Sequence, residues 1–461
     1  MLDLLVAGGT VVTEGGAMGA DVGVEGGVIV ALGRALGRAR RTIDAGGRLV
    51  LPGAIDPHVH LQLHVSGTVS ADDFLAGTRA AACGGVTTVI DFAEQKPGMG
   101  LAEAVAARRA EADPQVVVDY GLHCQVGDLA RAEAELGAAV AAGVTSFKYF
   151  MLRKEGVLLG DADLYRLLRA CGREGGLVTV HAENAALVES LGAELQARGD
   201  TGPAAFGRWR PPFVEAEAIG RALAIADGAF APLYVVHVST SEGAAAVLEA
   251  RRRGIRAYGE TCPQYFLLTE ERLAGPKGHL FTCTPPLRSA YHSQGVGLAL
   301  RDGWLQTVGS DHCPFPAREK AAAKRDFSRM PCGLPGVETL LPLVYTTFAV
   351  GRGGALSVER LAAITSANAA RIFGLWPRKG AIRVGADADL VIFDPDRRVR
   401  LGPKALHSRI DYTPYAGRTA LGWPTATIAR GEVIVEEGEL RARPGRGRFL
   451  ARAPHGAALA V

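Results

Sequence analysis

The stretch Arg48–His60, RLVLPGAIDPHVH, decides the fold, because the pattern of apolar residues along the chain changes there. Before it, glycines break short apolar runs such as LDLLVAGGTVV and ADVGVEGGVIVALG, which predicts small β-strands and turns. After it, apolar runs alternate with Ala-, Glu- and Arg-rich segments of helical period. The stretch is itself the first of these later runs, and it ends on the pair His58 and His60.

Seven more apolar runs follow along the chain. They are GGVTTVIDF, VVVDYGLHC, VTSFKYF, GLVTVHAE, PLYVVHVS, GIRAYGETCPQY and LQTVGSDHCP. The segments between them, such as LAEAVAARRAEA and SEGAAAVLEARRRG, have helical character. Eight repeats of strand then helix predict an α/β fold, the (β/α)8 TIM barrel.

Short β texture returns near the end of the chain, at KGAIRVGADADLVIFDPD and WPTATIARGEVIVEEGEL. We therefore predict a barrel over residues 51–377 and a small β-sandwich domain that both chain ends form, from residues 1–50 and 378–440. Residues 441–461 form a C-terminal tail with no regular pattern, and the sequence leaves its role open.

Composition narrows the class of protein. Charged residues make up 21% and hydrophobic residues 48% of 461 residues, an ordinary globular balance, and the net charge is only +3. The near balance gives no electrostatic reason to expect nucleic acid or membrane binding. Seven cysteines without a C-x-x-C pair predict buried thiols in a reducing compartment. The N-terminus has no signal-peptide pattern, so we predict a cytoplasmic protein.

Six side chains that can bind metals lie at or near the ends of the predicted strands. They are His58 and His60 of strand one, Lys148 of strand four, His181 of strand five, His237 of strand six and Asp311 of strand eight. The carboxyl ends of barrel strands meet on one face, where active sites form. A single strand-end histidine, such as His123, is more often a structural or substrate-side group than a metal ligand. Four histidines with an aspartate predict a metal site.

Lys148 lies inside the apolar run VTSFKYFMLR, in a chain that has only eight lysines. One reading is that its side chain reaches out of the barrel mouth to water. The other is that a lysine near positive charge loses its proton, adds carbon dioxide and becomes a carbamate that bridges two metals. The surrounding histidines favour the second reading.

The strings LPGAIDPHVHLQL, SFKYFM, TVHAENA, YVVHVS, TPPLR, LQTVGSDHCPF, DFSRMP and GADADLVIFDP resemble the hydantoinase/dihydropyrimidinase family of cyclic amidohydrolases, and TPPLR and TVGSDHCPF look like the bacterial D-hydantoinases. The resemblance runs from about residue 1 to 435. It implies a barrel with a small β-sandwich, a small-molecule cyclic amide substrate and a homotetramer.

The resemblance also implies roles for single residues. His58, His60 and Asp311 would bind one zinc ion, His181 and His237 would bind a second, and carboxylated Lys148 would bridge them, with manganese or cobalt as other metals. A hydroxide bridging the two ions would attack the ring carbonyl, while Asp311 moves the proton to the leaving nitrogen. Backbone groups at Thr284 and Cys332 would hold the ring amide.

One position departs from the family. Where family members have a tyrosine that stabilises the oxyanion, five residues after the bridging lysine, this chain has Arg153, followed by Lys154. Tyr149 would face the other side of its strand. Arg153 either supplies the missing oxyanion donor or binds an acidic group of the substrate, or it points to solvent.

Three other functions fit the sequence to different degrees. Allantoinase, with Arg153 contacting a different ring, is the main alternative. A dihydroorotase fits less well, because that family reads H-x-H-x-R after strand one and this chain has Gln62 at that place. A non-catalytic scaffold of the dihydropyrimidinase-related type fits least, because this chain keeps all six metal-ligand positions.

Overall fold

The structure is a computed structural model that describes residues 1–13, 15–65, 67–153, 157, 159–348, 350 and 354–455. The chain opens with five strands of a nine-stranded sheet. They are β1 (Leu2–Thr13), β2 (Gly16–Glu25), β3 (Val28–Gly33), β4 (Ala39–Asp44) and β5 (Leu49–Pro52). β1 pairs antiparallel with β2 and parallel with β4 and β5.

The chain then builds an eight-stranded parallel sheet, interrupted by one small hairpin. The sheet strands are β6 (Ala54–Asp56), β9 (Val86–Glu94), β10 (Asp119–Gln125), β11 (Ser146–Phe150), β12 (Leu177–His181), β13 (Leu233–Val235), β14 (Ala257–Thr261) and β15 (Thr307–Val308), and the hairpin is β7 (His64–Val65) with β8 (Thr68–Val69). Each sheet strand pairs with the next in chain order. A bridge between Val59 and His312 joins the last strand region to the first, so the predicted barrel is confirmed.

Fifteen α-helices are found among the described residues. They are α1 (Phe74–Cys83), α2 (Leu101–Ala112), α3 (Leu129–Ala141), α4 (Asp161–Glu174), α5 (Ala185–Ala197), α6 (Phe206–Trp209), α7 (Pro212–Ala229), α8 (Ser241–Arg252), α9 (Pro263–Leu267), α10 (Glu271–Ala274), α11 (Ala290–Arg301), α12 (Ala317–Ala322), α13 (Leu340–Thr347), α14 (Val358–Ala362) and α15 (Asn368–Ile372). Local chemistry sets their ends. The Asp73 side chain accepts the amide of Ala76 at the start of α1, and Gly175 ends α4 in the left-handed conformation. None of these described helices has the length and apolar character needed to cross a membrane.

The chain returns to the first sheet after the barrel. The returning strands are β16 (Leu390–Arg400), β17 (Thr419–Ala429), β18 (Glu432–Glu436) and β19 (Glu439–Leu440). β16 pairs antiparallel with β5, with Leu390 opposite Pro52. Residues from both ends, such as Val22 and Ile428, share one hydrophobic core that is separate from the barrel core. This confirms the prediction of a separate β unit formed by the two chain ends.

The described part of the tail, residues 441–455, runs across the N-terminal end of the barrel. Its main chain exchanges hydrogen bonds with Tyr120 at the start of β10, and Arg452 donates to the carbonyl of Gly143 before β11. Leu450 is fully buried there. The tail therefore covers the N-terminal end of its own barrel by packing against it, without forming a helix or a strand. Residues 456–461 of the predicted tail lie outside the described residues.

Candidate active site

The nine residues that the sequence singled out all line one cavity of about 470 Å³ at the C-terminal mouth of the barrel. They are His58, His60, Lys148, Arg153, His181, His237, Thr284, Asp311 and Cys332. His58 and His60 follow β6, Lys148 lies in β11, His181 ends β12, His237 follows β13, and Asp311 follows β15. The topology brings them together because parallel strands end on the same face of a barrel.

His58, His60 and Asp311 form the first part of the site. The Asp311 Oδ1 atom lies 3.4 Å from His58 Nε2 and 3.2 Å from His60 Nε2. One ligand atom from each of the three residues lies within 4.8 Å of the others, which suits a single metal ion with ligand bonds of about 2 Å. Burial by itself would raise the pKa of Asp311, but the two histidines hold that pKa below its ordinary value. Asp311 is therefore an anion and can act as a metal ligand.

His181 and His237 form the second part of the site. Their Nδ1 and Nε2 atoms are 3.0 Å apart, and the ring centroid of His237 lies 5.4 Å from that of His58. Burial lowers the pKa of His237 well below its ordinary value. A neutral imidazole is the form that binds metals. The two pairs of histidines are thus adjacent and chemically suited to two neighbouring ions.

Two of these positions have unusual backbone conformations. Asp311 has φ of 51° and His237 has φ of 39°, both in the left-handed region that residues with a side chain rarely adopt. Such strain persists where the surrounding structure holds it, and it is found preferentially at functional sites. The strain supports a role for the strand ends beyond packing.

Lys148 lies between the two parts. Its side chain is only 1% exposed, and its Nζ atom lies 5.4 Å from the ring centroid of Phe92 and 5.2 Å from that of Phe150. Burial is the largest cause that lowers the pKa of His58 and of His237, and the charge of Lys148 is a further cause for both. The reading in which Lys148 reaches out to water is wrong, because the side chain is buried within the site.

Two buried glutamates hold the histidines in place, and neither was among the residues predicted from the sequence. Glu260 on β14 contacts His58 Nδ1 through Oε1 at 2.8 Å, and its Oε2 accepts the hydroxyl of Tyr234 at 2.8 Å. Burial raises the pKa of Glu260 to about 7. A carboxylate on the far nitrogen fixes the tautomer of a metal-binding histidine and leaves Nε2 for the metal.

Glu183 holds His181 through the other ring nitrogen, Nε2, so that Nδ1 of His181 is the nitrogen left for a metal. Its Oε2 atom lies 2.7 Å from His181 Nε2 and accepts Arg210 Nη1 at 2.7 Å. Burial would raise the pKa of Glu183, but Arg210 and His181 lower it to about 2. A signal for both glutamates was present in the strings VHAEN and YGETC, which carry an acid at or just after a strand end.

Arg153 lies at the rim of the cavity. Its side chain is 52% exposed, and its Nε atom lies 3.2 Å from Glu189 Oε1. Lys154, which follows it, lies outside the described residues. Tyr149 faces away from the cavity and donates its hydroxyl to the carbonyl of Gly160 at 2.7 Å, as predicted. The rim therefore presents a guanidinium that is close to solvent.

His123 has a structural role. His123 is buried, with Nδ1 2.6 Å from Ser146 Oγ and Nε2 2.9 Å from the carbonyl of Pro57, which confirms its structural reading. No disulfide joins any of the seven cysteines, and only Cys332 is not fully buried.

A family model, two relatives and a solved structure each match nearly all or most of this chain. Residues 49–434 match the family model described as "Amidohydrolase family". A D-hydantoinase of Ralstonia pickettii is 41% identical over 98% of this chain and 99% of its own length. A dihydropyrimidinase of Rattus norvegicus is 39% identical over 98% of this chain and 89% of its own length. The crystal structure of dihydropyrimidinase from Brevibacillus agri superposes with a TM-score of 0.96 at 38% identity, covering 98% of this chain and 99% of that one.

Proposed function

Because the chain belongs to the amidohydrolase family and is a cyclic amide hydrolase, we propose that it opens hydantoin or dihydropyrimidine rings with two zinc ions. His58, His60 and Asp311 would hold one ion, and His181 and His237 the other. Lys148 would bridge them after its neutral amine adds carbon dioxide and releases one proton. The observation that carries this proposal is the convergence of these six side chains in one cavity.

The two ions, with manganese or cobalt as possible substitutes, would supply a bridging hydroxide as nucleophile and polarise the ring carbonyl. The chain's own groups do the rest. Glu260 and Glu183 keep the ring nitrogens of His58 and His181 turned toward the centre. Asp311 takes the proton of the attacking hydroxide and delivers it to the leaving ring nitrogen, as a general base and then a general acid.

Substrate orientation would come from the loops that carry Thr284 and Cys332, both of which line the cavity. In this proposal their main-chain groups hold the ring amide, so the side chains at these positions can vary. Apolar side chains also line the cavity, among them Leu63, Phe150 and Trp209. Such a wall suits an apolar substituent on the ring.

The direct test is ring opening by the zinc-loaded protein, supplied with bicarbonate, on dihydrouracil, phenylhydantoin and allantoin in parallel. We expect turnover of the first two rings. Failure on all three with two metals bound per chain would overturn the proposal. A protein that binds no metal at all would point to a non-catalytic scaffold.

A second candidate, allantoinase or another ring amidase, is favoured by one observation. Two guanidinium groups, those of Arg153 and Arg210, line the same cavity. In this reading Arg153 contacts a polar group of the substrate rather than stabilising the oxyanion. Substitution Arg153→Gln separates the two roles. Loss of an oxyanion donor lowers kcat for every ring by about 10²-fold, whereas loss of a substrate contact raises KM for allantoin only.

We also propose that the enzyme is cytoplasmic and assembles as a homotetramer. The buried thiols without a disulfide support a reducing compartment. Light scattering of the purified protein tests the assembly, and a mass of one or two chains would contradict it.

A further inference from the structure

A second buried lysine lies next to the cavity, and the mechanism above does not use it. Lys320 on α12 has no exposed surface. Its Nζ atom donates to the carbonyl of Thr282 at 2.9 Å, to the carbonyl of Gly333 at 2.6 Å and to the Thr282 hydroxyl at 3.3 Å. These partners are two carbonyls and a hydroxyl. Burying an ammonium group costs free energy, so its place needs a reason.

The hydrogen bonds of Lys320 join two separate loops of the cavity wall. Thr282 lies two residues before Thr284, and Gly333 directly follows Cys332; Thr284, Cys332 and Gly333 all line the cavity. The Gly333 amide donates to the carbonyl of Thr282 at 3.0 Å. One lysine therefore fixes the spacing between the two loops.

The second loop has little freedom to move elsewhere. Gly333 has φ of 154°, and a Cβ atom built there would lie 2.2 Å from the carbonyl oxygen of Cys313. The Cys313 amide donates to the carbonyl of Leu334 at 3.0 Å. The loop is thus held on one side by the segment after β15 and on the other by Lys320.

We infer that Lys320 is a positioning residue that sets the distance between the two main-chain segments that hold the ring amide of the substrate. This inference rests on the proposed function, because it assigns those loops to a cyclic –CO–NH– group. Lys320 does not touch the metal-binding residues, so its effect falls on substrate affinity. Burial lowers the pKa of Lys320 to about 8, which agrees with a charge that the fold keeps at a cost.

The test compares Lys320→Met and Lys320→Gln with Lys324→Met, which removes an exposed lysine four residues away. We expect Lys320→Met to raise KM about tenfold, from the loss of hydrogen bonds worth about 1–2 kcal/mol, with two metals retained and a smaller change in kcat. Lys320→Gln, which keeps one donor, should recover part of the loss, and Lys324→Met should behave as the wild type.

A second measurement does not depend on activity. Hydrogen exchange of the Gly333 amide should become faster in Lys320→Met, because the two loops separate more easily. The inference would be overturned if KM and the exchange rate of the Gly333 amide both stayed unchanged. It would also be overturned if Lys320→Met only lowered the fraction of active protein and left KM of that fraction unchanged. If the wild type opens no ring, the proposed function fails, while the exchange measurement still decides whether Lys320 fixes the loops.

Discussion

Buried lysines lie at both ends of the barrel, and their surroundings differ. At the N-terminal end, Lys379 is 1% exposed, and its Nζ atom lies 2.7 Å from Asp119, 2.7 Å from Asp389 and 3.0 Å from Asp387. Burial would lower the pKa of Lys379, but these carboxylates raise it. At the C-terminal end, Lys148 lies among histidines and Lys320 donates to main-chain carbonyls.

The difference separates two uses of a buried charge. Lys379 is neutralised by acids and joins the floor of the barrel to the returning end of the chain, so it serves stability. Lys320 donates to main-chain carbonyls and a hydroxyl instead of to carboxylates, and Lys148 lines the cavity together with the proposed metal ligands. Buried charged groups of this kind are typical of functional sites. We therefore expect the reaction to take place at the barrel mouth, and the residues at the floor to contribute mainly to stability.

Asp311→Asn at the mouth should have the largest effect. The change removes a proposed metal ligand and the proposed general acid/base together, so we expect kcat/KM to fall about 10⁴-fold. The free energy of unfolding should change little. Steady-state kinetics with metal analysis measures kcat/KM, and thermal unfolding measures the change in stability. If kcat/KM of Asp311→Asn stayed within tenfold of the wild-type value, the proposed difference in role between the barrel mouth and the barrel floor would be wrong.

Asp119→Asn at the floor is the matched change. Removing one partner of the buried Lys379 should lower the free energy of unfolding by about 3 kcal/mol. Turnover per metal-loaded chain should stay at the wild-type value, because Asp119 lies at the opposite end of the barrel from the cavity. Denaturant titration and kinetics on the folded fraction check both. A catalytic loss without a loss of stability would contradict the assignment.

Lys320 should make stability depend on pH in the opposite sense from a paired lysine. Its folded pKa is about 8, below the ordinary value of 10.5. Between these values the unfolded chain binds more protons than the folded one, so stability rises with pH, by at most about 3 kcal/mol. The rise should be absent in Lys320→Met. Equal stability gains from pH 8 to about 10.5 in both proteins would show that Lys320 is not destabilised by burial.

Glu260→Gln should have the smallest effect. Glu260 contacts His58 and is not itself a proposed metal ligand, so we expect metal affinity at the His58 half of the site to weaken about 10–100-fold. Metal titration measures it. Asp119→Asn is the control, because Asp119 is also a buried carboxylate but lies at the opposite end of the barrel from the cavity. Equal losses of metal affinity in both variants would mean that the effect is not specific.

The sequence predicted the barrel well because each strand and helix has its own period. The string LAEAVAARRAEA, for example, coincides with α2. The strand-end histidines and Asp311 were found because topology alone brings strand ends together. Glu183 and Glu260 were missed because their role depends on side-chain direction within the site. The docking of the tail was left open, since a segment without a period reaches its place only through tertiary contacts such as that of Leu450.

The most direct test of the account is the metal content of Lys148→Ala beside the wild type, each loaded with zinc and bicarbonate. We predict two metals per wild-type chain, and loss of metal and ring-opening activity together in Lys148→Ala, with partial rescue of both by a short carboxylic acid. Two metals and a normal rate in Lys148→Ala would contradict the claim that Lys148 bridges the ions.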